Sequence, residues 1–182
     1  MNYEEKTLST KNIYEGTVIN LDLLEVELPN GKRAKRDIVR HPGGAFIVPI
    51  NEKGEIYMVR QFRKPMEKIS LEVPAGKLDP GEDPAVCAER ELREETGLTA
   101  SKITHLLSTH TSPGFCDELL HMYVATGLQE GDACTDEDEF LSVEKIHVEK
   151  LLEMVLEGEI TDSKTIMGIL FAERIIKGEI KI

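Results

Sequence analysis

The chain has 182 residues, 40% hydrophobic and 31% charged, the balance of a globular domain rather than a disordered one. Its 34 acidic residues against 22 basic ones give a net charge of −12, the wrong sign for holding nucleic acid or an anionic membrane surface through the general field. Residues 45–50, the longest strongly apolar run, fall far short of the ~20 residues of a membrane helix; the start lacks a secretory signal's apolar stretch; and Cys87, Cys116 and Cys134, odd in number with no CxxC pair, point to free thiols in the cytoplasm.

In chain order, Leu24, Val26 and Leu28 alternate with Glu25 and Glu27, the period of a half-buried strand. Pro29-Asn30-Gly31-Lys32 marks a turn, since Asn and Gly tolerate positive φ, and residues 33–40 return as a second strand. His41-Pro42-Gly43-Gly44 breaks the chain. Residues 45–50 and 56–61 flank Asn51-Glu52-Lys53-Gly54 and are predicted as a hairpin. A helix is predicted from Pro84 to Thr96, with Asp83 as cap, Pro84 at its first position and Gly97 as its stop. Strand-like runs follow at 103–109 and 119–125. Residues 128–139 are acidic, contain Gly131 and read as a loop, and residues 140–148 read as a strand. Residues 150–156 and 163–177 are predicted helices, the second capped by Asp162 or Ser163. Strands mixed with three helices indicate an α/β or α+β domain.

The helix over 84–96 carries the most specific chemistry. Glu91, Glu94 and Glu95, three and four residues apart, share one face within about 100°. Like charges at that spacing weaken an isolated helix, whereas hard divalent cations such as Mg²⁺ want grouped carboxylate oxygens. A solvated charged face would look the same on spacing alone.

The wider string decides between them. It runs Gly76, five residues, Glu82, seven residues, Arg90-Glu91-Leu92, one residue, Glu94-Glu95, one residue, Gly97-Leu98. This resembles, at every constrained position, the box of the Nudix hydrolase superfamily. The resemblance implies a loop–helix–loop that binds Mg²⁺, with Mn²⁺ as a substitute, and hydrolyses a nucleoside diphosphate linked to another group. It makes Glu91, Glu94 and Glu95 metal ligands, with Glu94 also in the catalytic set, and the Ala75 carbonyl a further ligand. Gly76, Glu82, Arg90 and Gly97 then shape the box. A diphosphate needs cations to approach such a carboxylate cluster, and those cations also activate water and stabilise the charge that builds as the P–O bond breaks.

Motifs outside the box are similar to the ADP-ribose pyrophosphatase branch. Pro113, in Ser112-Pro113-Gly114-Phe115, lies sixteen residues past Gly97. Val59-Arg60-Gln61-Phe62-Arg63, Leu71-Glu72-Val73-Pro74-Ala75-Gly76, Asp136-Glu137-Asp138-Glu139 and the helix start Thr161-Asp162-Ser163-Lys164-Thr165 belong to the same likeness. It implies that Arg63 and, more weakly, Arg36 meet substrate phosphates through the guanidinium fork. It sets Glu72 beside the metal turn and counts Glu72, Gly114 and Glu118 among the substrate contacts. In this branch a Glu-x-Glu loop supplies the general base. Glu137 and Glu139 both match; Glu137 is read as base and Glu139 as the metal-side residue, and the sequence does not separate them.

The implied fold is an α/β/α sandwich around a mixed sheet, residues 43–182. Residues 1–42 would form a small antiparallel sheet that exchanges between two subunits, giving a homodimer. The expected reaction is hydrolysis of ADP-ribose to AMP and ribose 5-phosphate. Alternatives are another nucleoside diphosphate sugar, a dinucleotide, or a non-catalytic sensor of nucleotide sugars, the last disfavoured because no box glutamate is missing. Neither nucleic acid nor membrane is an expected partner.

Overall fold

The computed structural model describes residues 2–131 and 140–182. Among the described residues ten strands and three α-helices form an α+β fold: β1 (Lys6–Glu15), β2 (Asn20–Glu27), β3 (Arg33–Arg40), β4 (Gly44–Pro49), β5 (Glu55–Arg63), β6 (Lys68–Glu72), β7 (Ala75–Lys77), α1 (Pro84–Thr96), β8 (Leu98–His110), β9 (Leu119–Glu130), β10 (Leu141–His147), α2 (Val148–Leu156) and α3 (Ser163–Ile176). The strands make three sheets, in the orders β1-β2-β3, β10-β5-β6 and β7-β4-β9-β8. Among the described residues, no helix is long and apolar enough to cross a membrane.

The chain divides into two compact units. The first takes the residues up to Gly43 together with Thr109–Leu120; the second takes Gly44–Ser108 and His121–Ile182.

In the first unit β2 pairs antiparallel with both neighbours, Thr10 opposite Leu24 and Leu24 opposite Arg36. β1 is an edge strand, exposed along its whole length. Residues 112–117 are zipped onto β3: Val39 N–H donates to the Phe115 carbonyl at 2.7 Å, and Asp117 N–H donates to the Val39 carbonyl at 3.2 Å.

In the second unit β4 is buried at all six positions, and its period of two sends alternate side chains to opposite layers. Ala45 and Ile47 pack with Cys87, Ala88 and Leu92 of α1. Phe46 and Val48 face α3, where Gly168 allows a close approach: an added Cβ would lie 3.0 Å from Val48. Helices on both faces of this strand make the expected α/β/α sandwich. β10 and β6 flank β5 antiparallel, and β7 pairs with β4, Gly76 opposite Ala45.

α1 has its predicted bounds. Residues 128–130, expected to open a loop, instead extend β9. Leu128 packs against the core, and Glu130 accepts hydrogen bonds from Lys145 Nζ at 2.5 Å and the Tyr57 hydroxyl at 3.3 Å.

Candidate active site

The second unit builds its site where α1 lies against β7. The Asp83 carboxylate accepts the Ala85 N–H at 2.8 Å, Pro84 needs no donor in the first turn, and Gly97, with φ of 71°, closes the helix. The buried face of α1 is chemically split. Cys87, Ala88 and Leu92 enter the apolar core, while Glu91 and Glu95 are buried to 8% and 2% exposure. Two carboxylates are taken out of water only where something satisfies them.

The strand opposite shows what receives them. The Glu91 carboxylate lies so close to Gly76 that a Cβ there would be 1.6 Å from its Oε1. Glu95 Oε2 accepts the Ala75 N–H at 3.1 Å. The Cys87 thiol donates to the Lys77 carbonyl at 3.4 Å, tying the turn to the helix from beneath. Burial and the nearby Glu82 charge push that thiol up to about 12, so it is no nucleophile at neutral pH.

Arg90 organises the carboxylates. Its Nε and Nη2 donate to Glu82 at 2.9 and 3.0 Å. Its Nη1 lies between Glu91 Oε1, at 2.7 Å, and Glu94 Oε2, at 3.0 Å. Its Nη2 also reaches the Lys77 carbonyl at 3.2 Å. These hydrogen bonds raise the guanidinium still further, and they hold the Glu82 carboxyl down at about 2. Glu82 in turn accepts the Asp79 N–H at 3.0 Å.

Among the described residues, no three acidic, His or Cys side chains converge as a formed cation site; Arg90 is inserted between two of the three glutamates instead. The donor set nevertheless fits a hard divalent cation. All its atoms are oxygens, two of its carboxylates are buried, and Gly76 leaves the space into which Glu91 projects.

A second charged group lies on β5, β6 and α3. Arg63 grips the Glu72 carboxylate with both arms of its fork, Nε at 2.9 Å and Nη2 at 2.8 Å. Lys164 Nζ donates to the same carboxylate and to Asp162 at 2.9 Å. Burial alone would raise Glu72, but these hydrogen bonds and charges outweigh it and hold the group at about 2. Next to it the Val73 N–H donates to the fully buried Thr165 hydroxyl at 3.0 Å, which fixes the strand end leading into Ala75-Gly76. Lys164 lies more than ninety residues from Glu72, and Thr165 as far from Val73, so no local sequence signal could assign them these two contacts.

The first unit holds Arg36, Pro113, Gly114 and Glu118. Arg36 pairs with Glu5 through two hydrogen bonds, 2.9 and 2.6 Å. Pro113 and Gly114 lie in the turn closed by Cys116 N–H on the Ser112 carbonyl at 2.9 Å. Glu118 accepts the Thr111 hydroxyl at 2.7 Å and lies 3.4 Å from His41 Nδ1. Asp117, which the sequence did not single out, accepts from Arg40 at 2.9 Å and from the His41 N–H at 3.0 Å. Burial opposes ionisation of Asp117, but these bonds prevail and lower its pKa. Glu137 and Glu139 lie outside the described residues.

The comparisons with known proteins agree with this arrangement. The NUDIX domain family matches residues 40–167. The chain is 47% identical over 173 residues to the methanol dehydrogenase activator of Bacillus methanolicus, covering 94% of each chain. It is 46% identical over 172 residues to the ADP-ribose pyrophosphatase of Bacillus subtilis (strain 168), covering 93% of each. A crystal structure of an ADP compounds hydrolase superposes over the whole of both chains with a TM-score of 0.86 at 18% identity, a likeness of fold. With its glutamate-bearing helix set against a glycine turn and its family match running through both, the chain is a member of the Nudix hydrolase family.

Proposed function

We propose that the protein hydrolyses the pyrophosphate bond of ADP-ribose to AMP and ribose 5-phosphate, using a divalent cation, Mg²⁺ or in its place Mn²⁺. One observation carries the reading: Glu91 and Glu95 lie against the Ala75-Gly76 turn and Glu94 is joined to Glu91 through Arg90, in a chain 46% identical over 93% of its length to an ADP-ribose pyrophosphatase.

In this reading Glu91, Glu94, Glu95 and the Ala75 carbonyl hold the cation, with Glu139 as a further ligand. The cation supplies charge neutralisation for the diphosphate and an acidified water. The protein's own residues do the rest. Arg90 keeps Glu82, Glu91 and Glu94 oriented, as the hydrogen bonds it makes to all three support. Arg63 presents its guanidinium to the diphosphate. Glu72 sets the direction of that guanidinium. Glu137 takes the proton of the attacking water. Arg36, Gly114 and Glu118 are assigned to substrate contacts, and Pro113 shapes the turn that carries Gly114.

We also assign residues 1–42 to dimerisation and substrate contacts and residues 43–182 to the hydrolase domain. A homodimer is supported by the exposed apolar side chains of the N-terminal segment, among them Ile13 and Tyr14. A reducing, cytoplasmic setting is supported by the free thiols of Cys87 and Cys116.

The test is product analysis. Incubation with ADP-ribose and Mg²⁺ is expected to yield AMP and ribose 5-phosphate in equal amounts, and a chelator should stop it. A panel of other nucleoside diphosphate sugars and dinucleotides, run alongside, ranks the substrates. If another compound is cleaved far faster than ADP-ribose, the substrate assignment moves to it.

A further inference from the structure

Glu72 has more cationic partners than a simple ion pair requires. Its side chain is 3% exposed and is met by two cations, Arg63 at 37% exposure and Lys164 at 12%. Arg63 occupies both carboxylate oxygens, and Lys164 shares Oε2. A buried carboxylate that loses its only cation is strongly destabilised, because neither water nor a counter-charge replaces it. Glu72 is protected from that fate. If Arg63 withdraws, Lys164 remains.

Lys164 is itself fixed. It belongs to the first turn of α3, donates to Asp162, and is followed by Thr165, whose N–H is capped by Asp162 at 3.0 Å and whose hydroxyl receives the Val73 N–H. Of the two cations, Arg63 is the more exposed, and it lies within electrostatic reach of Glu95 on the box helix. One cation is thus partly open to solvent, and the other holds the carboxylate from the first turn of α3 with little exposure.

We propose that Lys164 is a positioning residue that keeps Glu72 neutralised, so that Arg63 is free to transfer part or all of its hydrogen bonding to the substrate diphosphate. The proposal rests on the reading of this protein as a nucleoside diphosphate hydrolase in which Arg63 meets the diphosphate. Without Lys164, Arg63 becomes the sole counter-charge of Glu72 among the described residues, and drawing it toward phosphate leaves a buried anion behind. Lys164 therefore acts on affinity through Arg63 and touches no reacting atom.

The test uses four forms of the full chain: wild type, Lys164→Met, Lys164→Arg, and the double variant Glu72→Gln with Lys164→Met. Each is titrated with inorganic pyrophosphate in the presence of Mg²⁺ by calorimetry and assayed for ADP-ribose hydrolysis. Lys164→Met is expected to raise the pyrophosphate Kd and the ADP-ribose KM about tenfold, with a much smaller change in kcat. Lys164→Arg should stay near wild type. The double variant should recover part of the lost affinity, since no buried anion then competes for Arg63 while the amide oxygen still offers it one acceptor; loss of packing alone would not be repaired in this way.

Unchanged Kd and KM in Lys164→Met, a loss confined to kcat, or no recovery in the double variant overturns the proposal. So does a wild type that binds no pyrophosphate. If the pyrophosphate pattern is as expected but wild type leaves ADP-ribose intact, the role of Lys164 stands and the substrate assignment falls. If ADP-ribose is cleaved and Lys164→Met behaves as wild type, the reverse holds. Should Lys164→Met fail to fold, Lys164→Gln, which keeps a donor and removes the charge, carries the same comparison.

Discussion

At Gly76 the missing side chain is what allows the Glu91 carboxylate to lie against the turn, with only 1.6 Å between its Oε1 and the place a Cβ would take. Gly76→Ala must therefore displace Glu91 or bend β7. Overpacking of this kind costs about 1–3 kcal/mol, and hydrolysis should suffer more than folding does. A melting curve beside a rate measurement decides it: a variant that melts lower yet turns over at the wild-type rate would separate Glu91 from the chemistry. Glu95→Gln makes the complementary case. The amide oxygen can still accept the Ala75 N–H, so the fold should persist. A neutral amide binds a hard cation poorly, and kcat/KM should fall at least about a hundredfold, the upper end of what losing even an outer-shell partner costs. Activity near wild type would remove Glu95 from the cation site.

Glu72 allows a prediction with a sign. Its carboxyl is held at about 2 against an ordinary 4.5. A depressed carboxyl stabilises the fold above its unfolded pKa and stops doing so as pH falls through its folded one. The stabilisation, about 3 kcal/mol for such a difference, should be complete above about pH 5.5 and fade between about pH 4.5 and 2. Denaturant unfolding of wild type and Glu72→Gln across that range is the measurement. The gap between the two should close on acidification, and a gap of constant size would mean that Glu72 is not ionised as its partners imply.

Among the elements, those with local signals were legible. α1 was readable to the residue because Asp83, Pro84 and Gly97 mark its ends within a few positions. β3 was bounded by an Asn-Gly turn before it and a Pro-Gly break after it. β1 was not separately readable: it is exposed throughout, so nothing forces its apolar residues to alternate. β6 and β7 are short and interrupted by Val73-Pro74, and their strand character comes from β5 and β4, to which they pair. The box glutamates could be listed from spacing, but their meeting with Ala75 and Gly76 across fifteen to twenty residues could not be measured from it. The histidines show the same limit. Scattered in sequence, His105 and His121 converge on the Ser108 hydroxyl at 3.1 and 2.8 Å because β8 and β9 are neighbours. α3 gives this scale its prediction. Thr165→Val keeps the shape but leaves the Val73 N–H buried without an acceptor, which costs about 1–3 kcal/mol. At roughly 2–4 °C per kcal/mol for a domain of this size, the melting temperature should drop by several degrees. A variant as stable as wild type would show that the helix start does not anchor the turn.

For the whole molecule, charge and exposed apolar surface point in different directions. Residues 72–95 hold eight acids and three bases, and residues 128–139 hold six acids and no base, so nearly all of the −12 belongs to two segments. The acidity is a local property tied to the proposed cation chemistry, and it leaves the remaining chain almost neutral. The N-terminal segment is instead rich in exposed apolar side chains: Leu8 at 39%, Ile13 at 49%, Tyr14 at 56%, Val18 at 46% and Ile19 at 38%. Single exposed hydrophobics are ordinary, but several on and beside a long edge strand support the proposed homodimer. Because this region is not part of the concentrated negative charge, a second copy of the chain can approach it without strong repulsion. The wild-type chain should therefore sediment at about twice 20.4 kDa at micromolar concentration. Ile13→Lys places a charge within that apolar group and should move the species toward 20.4 kDa while leaving the circular dichroism spectrum of the folded chain unchanged. A wild type that sediments as a clean monomer would sink the dimer, and a dimer indifferent to Ile13→Lys would move the interface away from this strand.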